Sequence, residues 1–162
     1  MTVEKGGAGV EAAARKLRYR ALGEMCAAHG ATVLLTAHHL DDQAETVLLQ
    51  LLRGSGPAGL SGMDGANAAP SCSAILTSSW RVRCCRTRAR ARSLWTPAGI
   101  IWVEDESNLD ARYARNALRH TVMPALALAF PGFQARFARS AAHAQSAQRL
   151  LDELAARTWS PA

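Results

Sequence analysis

The chain has 162 residues, 49% of them hydrophobic and 20% charged, with a formal charge of +6; this suffices for one domain with a real core. No apolar run approaches the roughly 18 residues of a membrane span, and Met1-Thr2-Val3-Glu4-Lys5 leads into no leader-like apolar stretch, so the sequence reads as a cytoplasmic protein without a membrane partner. Cys26, Cys72, Cys84 and Cys85 show no CxxC spacing and offer no zinc framework, and adjacent Cys84-Cys85 makes a poor disulfide, so thiols are the default.

Residues 1–9 form a glycine-rich start with little structure of their own. From Val10 to about His29, Leu17, Ala21, Leu22, Met25 and Cys26 recur near helical spacing, and Gly30 fits the C′ position that ends a helix. Thr32-Val33-Leu34-Leu35-Thr36 is a short apolar run with β-branched members and predicts a buried parallel strand. Helix followed by buried strand is half of an α/β repeat, which sets the expected class. A second helix is predicted from about Asp41 to Arg53, with acids in its first turn and Val47, Leu48, Leu51 and Leu52 on its apolar face. Gly54-Ser55-Gly56-Pro57-Ala58-Gly59 ends it.

Residues of about 65–97 differ in character. No acid lies between Asp64 and Glu104, whereas Arg81, Arg83, Arg86, Arg88, Arg90 and Arg92 carry six positive charges and so account for the whole net charge. Neither a period of 2 nor one of 3.6 is evident around Ser78-Ser79-Trp80-Arg81-Val82-Arg83-Cys84-Cys85. The composition fits a disordered basic linker, or an arginine-rich RNA-binding arm with few aromatics.

Pattern returns at Gly99-Ile100-Ile101-Trp102-Val103, a strand-like run, followed by an acidic turn in which Asp110 is a candidate N-cap. The next helix is expected to carry Arg112, Arg115 and Arg119 as a stripe at i, i+3 and i+7, with Pro124 interrupting it. A last amphipathic helix is expected from about Phe133 to Arg157, burying Phe137, Ala141, Ala144, Leu151 and Leu154.

The chemistry concentrates at the strand–helix junction. Asp42 and Glu45 stand three apart on one helical face beside Asp41, a pairing that suits a hard cation such as Mg²⁺ or merely complements the helix dipole. His38 and His39 lie at the carboxyl end of the strand, where open α/β sheets bind ligands. A zinc site is the weaker reading, because no H-E-x-x-H is present. The arginine stripe can clamp phosphates, form a solvated face, or pair with the acidic turn.

In order and spacing, these blocks together resemble the tRNA(Ile)-lysidine synthase family of the N-type ATP-pyrophosphatase superfamily. The resemblance rests on Ala37-His38-His39-Leu40-Asp41-Asp42-Gln43-Ala44-Glu45-Thr46-Val47-Leu48-Leu49, on Arg53-Gly54-Ser55-Gly56-Pro57-Ala58-Gly59-Leu60-Ser61-Gly62-Met63, on Trp102-Val103-Glu104-Asp105-Glu106-Ser107-Asn108-Leu109-Asp110, and on Arg115-Asn116-Ala117-Leu118-Arg119-His120. It covers roughly residues 10–64 and 98–150. It implies an α/β fold, a partial doubly wound parallel sheet of the adenine nucleotide alpha hydrolase type with a helical C-terminal part. Residues 1–125 would be part of the catalytic domain, and residues 126–162 a helical connection towards a tRNA-binding region.

The implied reaction uses ATP to adenylate C2 of the first anticodon cytidine of tRNA(Ile) CAU, after which free L-lysine displaces AMP. The implied catalytic residues are Asp42, Glu45 and Arg115, with Asp42 and Glu45 holding Mg²⁺. His38, His39, Arg53, Arg112, Asn116 and Arg119 would bind nucleotide or substrate. A homodimer is compatible with this reading.

Two departures qualify the resemblance. The family's S-G-G-x-D-S loop, whose backbone N–H groups cradle pyrophosphate, has no counterpart here, since Gly6-Gly7-Ala8-Gly9 lacks its serines and aspartate. The family's first strands are also absent, so the chain reads as truncated at its N-terminus, with an open sheet edge and no activity on its own. Residues 65–97 match nothing in the family, and Arg83-Cys84-Cys85 is what GC-rich codons for Pro-Leu-Leu give when read one base late. This implies two compensating frameshifts. The alternatives are a basic RNA-binding fragment without catalysis and a related tRNA thiolation enzyme, for which the Cys84-Cys85 pair is a poor basis.

Overall fold

The first helix, α1 (Val10–Ala28), leaves its arginines outside, but of the expected apolar set only Cys26 is buried. Leu17, Ala21 and Leu22 are half-buried, Met25 is exposed, and Tyr19, outside that set, is buried. Arg15 lies over the Tyr19 ring at 5.7 Å, and Arg20 meets Glu24 one turn on at 3.0 Å in a solvent-exposed pair of little energetic weight. The helix ends where Gly30 takes φ +63°, a conformation costly for a residue with a Cβ. The Gly30 N–H donates to the Ala27 carbonyl at 3.3 Å and the Ala31 N–H to the Cys26 carbonyl at 2.8 Å, so two otherwise unpaired helix-end carbonyls are satisfied.

This computed structural model describes residues 10–64, 66–68, 80–83, 93, 97, 108, 110 and 112–158. The chain forms two compact units, residues 1–37 with 64–83 and residues 38–63 with 84–162. The glycine-rich start, Cys72, Cys84 and Cys85, the arginines from Arg86 to Arg92 and the strand-like run at 99–103 lie outside the described residues.

The first unit holds a three-stranded sheet in the order β1-β3-β2, formed by β1 (Val33–Thr36), β2 (Ala66–Ala68) and β3 (Trp80–Arg83). β1 pairs in parallel with β3, Val33 opposite Trp80 and Thr36 opposite Arg83, and β2 runs antiparallel to β3. Two expectations change here. β1 is parallel but not buried: Val33 and Leu35 are 52% and 71% exposed, so its sides alternate rather than both being covered. Parts of the basic segment are strand, and the alternation of Trp80 and Val82 with Arg81 and Arg83 is the period-2 signal its composition masked.

The described residues of the second unit are mainly helical. α2 (Leu40–Leu52) and α3 (Pro57–Leu60) precede α4 (Ala114–Ala117), a π-helical turn (Leu118–Val122), α5 (Met123–Ala129) and α6 (Phe133–Thr158). Its core is Ala44, Met123 and Phe133, with Leu48, Leu126 and Phe137 packed against them. The Phe133 and Phe137 rings meet edge to face with centroids 5.5 Å apart.

Three expectations are corrected in this unit. Leu51 and Leu52, expected on the buried face of α2, are exposed, as are Leu151 and Leu154 of α6, because no described element packs over those helix ends. Pro124 does not interrupt the helix; the chain turns on from Ala114 to Ala129 through the π-helical turn, where the Met123 N–H reaches back five residues to the Leu118 carbonyl. That wider turn accommodates a residue with no N–H and a bulky ring. Asp110 does not cap the helix, and Arg112 precedes it: Tyr113 is the N-cap, and the Asp110 carboxylate is taken by the backbone N–H and guanidinium of Arg112.

Candidate functional site

The strand–helix junction forms its own cap. His39 is extended, with φ −122° and ψ 177°, and its Nδ1 accepts the Asp42 N–H at 3.2 Å while Asp42 Oδ2 accepts the His39 N–H at 3.0 Å. This is a capping box with histidine in the serine position. Asp41 and Asp42 occupy the first turn, where the helix dipole favours negative charge. Asp41 Oδ1 accepts from the Gln134 amide at 3.0 Å, which ties the start of α2 to α6.

One turn further on, Glu45 is 1% exposed. A buried carboxylate is costly unless fully paired, and this one is. Arg115 donates Nε–H to Oε2 at 2.8 Å. Arg119 donates Nε–H to Oε1 and Nη2–H to Oε2, each at 2.8 Å. Burial alone raises the Glu45 pKa, but the hydrogen bonds and charges of Arg119 and Arg115 outweigh it and hold the carboxyl below its ordinary value. The same contact raises the Arg119 pKa. Both guanidiniums also lie 3.6 Å from Asp42 Oδ1, too far for a hydrogen bond.

The structure thus gathers Asp42, Glu45, Arg115 and Arg119 into one cluster and turns Arg53, Arg112 and Asn116 away from it. His39 joins through the cap, and His38 is half-buried immediately before it. Arg53 stands beyond the far end of α2, eight residues and so about 12 Å along the axis from Glu45. Arg112 is exposed and bound to Asp110, whose carboxyl it holds below the ordinary range. Asn116 is buried but donates to the Asp110 carbonyl at 3.0 Å, so it braces that turn.

Mg²⁺ does not fit Asp42 and Glu45 as they stand. Both Glu45 oxygens accept guanidinium hydrogens, and two positive charges occupy the side from which a cation would bind. Among the described residues no group of three His, Cys, Asp or Glu side chains is placed to hold a metal ion.

Sequence reasoning missed the glutamines. Gln43 is fully buried, and its Oε1 accepts the Met63 N–H at 2.9 Å. Gln145 of α6 donates to the Ser61 and Met63 carbonyls at 2.7 and 3.3 Å, so two amides clamp the end of the glycine-rich loop. Gly62 fits there with φ +61°, and a Cβ on it would lie 2.8 Å from Gln43 Nε2. That Nε2 is buried without a hydrogen-bond partner among the described residues. A polar residue on the core side of an amphipathic helix was the available signal.

Comparison with known proteins matches residues 1–126 to the PP-loop domain. The chain is 54% identical over 152 residues to a tRNA(Ile)-lysidine synthase of Burkholderia mallei, a match covering 93% of the chain and 30% of that protein. It is 49% identical over 149 residues to the Ralstonia nicotianae protein of that name, covering 92% of the chain and 31% of the relative. For that of Salmonella paratyphi A the figures are 45% over 156 residues, 96% and 35%. The chain therefore spans about a third of the length of the curated relatives it matches.

Proposed function

The chain belongs to the PP-loop domain family, whose fold is of the adenine nucleotide alpha hydrolase type, and from that premise we propose that it is the nucleotide-facing part of a tRNA(Ile)-lysidine synthase. In this reading the whole enzyme spends ATP to adenylate the first anticodon cytidine of tRNA(Ile) CAU, and the ε-amine of free L-lysine then displaces AMP. The observation that carries the reading is the meeting of two sequence blocks at Glu45: residues 37–49 supply the carboxylate, and residues 115–120 supply both guanidiniums from seventy or more positions away. The identity to named lysidine synthases over nine-tenths of the chain supports it.

Arg115 carries the electrostatic role, because its terminal amino groups make no hydrogen bond among the described residues and can reach phosphate oxygens as the adenylate forms. His38, His39 and Asp42 border the nucleotide or cytidine. No step is assigned to Mg²⁺ at Asp42 and Glu45. Residues 1–125 belong to the catalytic domain, with a doubly wound sheet, and residues 126–162 lead towards a tRNA-binding region.

The 162 residues contain no S-G-G-x-D-S run, and by themselves they form no lysidine. The test pairs two measurements on the purified chain, ATP binding and tRNA binding, each over a salt series, with lysidine formation assayed alongside. ATP binding without lysidine formation supports the reading. Steeply salt-dependent tRNA binding with no ATP binding points instead to a basic RNA-binding module, and lysidine formed by the chain alone overturns the inactivity.

A further inference from the structure

We infer that Glu45 is a positioning residue: it braces Arg115 and Arg119 from behind so that their remaining amino groups face an oxyanion, and it does not itself meet metal or substrate. Three N–H donors converge on its two oxygens at 2.8 Å, and the carboxylate is sealed from water. What remains open is on the arginine side. Arg115 and Arg119 side chains keep 33% and 19% of their surface, and among the described residues no hydrogen bond uses either Nη of Arg115 or Nη1 of Arg119.

Asp42, Glu45, Arg115 and Arg119 carry formal charges that sum to zero, and the neighbouring Asp41 also acts on Arg119, so what the cluster offers an anion is the direction of its outer N–H groups and not excess positive charge. A guanidinium held by its Nε edge has lost most of its torsional freedom, and its outer N–H groups are aimed before the ligand arrives. Asp42 Oδ1 lies 3.6 Å from Nη2 of each arginine, within ion-pair range but not hydrogen-bonded to either. The ligand is a phosphate or pyrophosphate group. The inference rests on the proposed phosphate-facing role of Arg115, but it does not require that the phosphate belong to ATP.

The experiment follows the arginine side-chain N–H resonances of the whole 162-residue chain while inorganic pyrophosphate, ATP and MgCl₂ are each added separately. Two slowly exchanging Nε–H signals are expected in the unliganded protein, with pyrophosphate shifting the Nη signals of both arginines. In Glu45→Gln the Nε–H protection is lost and pyrophosphate affinity falls at least tenfold while the backbone spectrum stays folded. If that variant loses its fold, Glu45→Asp, which keeps the charge but retracts it by one methylene, takes its place, with a three- to tenfold loss expected. The inference is overturned if a folded variant binds pyrophosphate as tightly as the parent, if no phosphate compound moves the arginine signals, or if Mg²⁺ alone abolishes the Nε–H protection. Pyrophosphate binding without ATP binding leaves the brace standing and removes the nucleotide reading.

Discussion

Two helices of the second unit invert the familiar relation between polarity and burial. At the start of α2, Asp42, Gln43 and Glu45 are buried, whereas at the end of α6, Leu150, Leu151 and Leu154 are more than half exposed. The difference lies in partners rather than in residue type. Glu45 meets two guanidiniums brought from α4 and the π-helical turn, while every described residue of α6 from Arg149 onward is exposed, past the stretch that packs on α2 and α3. Charge is tolerated inside where donors converge on it, and an apolar side chain stays outside where no neighbour is built to cover it.

The sharpest way to break the comparison is to remove the buried charge. Glu45→Ala leaves two partly buried guanidiniums facing each other without their counter-ion, and a loss of about 4 kcal/mol in unfolding free energy is expected from urea titration. A loss below about 1 kcal/mol would place the cluster with solvent-exposed pairs. Phe133→Ala tests the apolar part of the same unit. Phe133 is nearly sealed against Ala44, Met123 and Phe137, so a loss of about 3 kcal/mol is expected, with α6 loosening from α2.

Acid should dissect the cluster without mutation. The folded-state pKa of Glu45 lies below its ordinary 4.5, so its contribution is fully present above about pH 4.5 and is lost as pH falls through the lower, folded value. Urea midpoints measured from pH 6 downward should therefore fall more steeply for the parent than for Glu45→Gln, which has no carboxyl to protonate. Parallel curves would show that Glu45 titrates alike in the folded and unfolded chain.

Much of this arrangement was legible in the sequence, and the parts that were not share a cause. The bounds of α1, α2 and α6, the Gly30 terminus and the acidic first turn of α2 follow from local spacing, which depends only on neighbours in the chain. The Glu45 brace does not, because the i, i+4 spacing of Arg115 and Arg119 defines a face but not what that face meets seventy residues away. Arg112 belongs to the same stripe only if the helix begins at Asp110, whose carboxylate Arg112 itself occupies. β3 was hidden by composition: four residues of clean alternation inside a cysteine- and arginine-rich stretch carry too little signal. The same stretch carries the reading-frame proposal, and verified DNA across codons 65–97 with an uninterrupted frame would remove it.

The glycine-rich loop gives a smaller effect. Gly62→Ala forces a Cβ against the Gln43 amide at a backbone angle that L-residues resist, for a loss of about 1–2 kcal/mol. If Gln43→Leu is made first, the steric part should shrink and the backbone part remain, so the two substitutions should not add.

The exposed leucines should give the smallest effect, and that is what makes them informative. Leu151→Gln and Leu154→Gln keep nearly the same helix propensity and remove side chains already more than half in water, so each should change stability by no more than about 0.5 kcal/mol. The sequence pattern alone predicts otherwise, since both leucines continue the stripe that buries Phe137 and Ala141, and core leucines cost about 2–5 kcal/mol to truncate. A neutral result in the isolated chain shows that the stripe extends beyond the core it serves here. A loss of core size would mean that the end of α6 is covered in solution, and the contrast with Glu45 would then be one of degree rather than of kind.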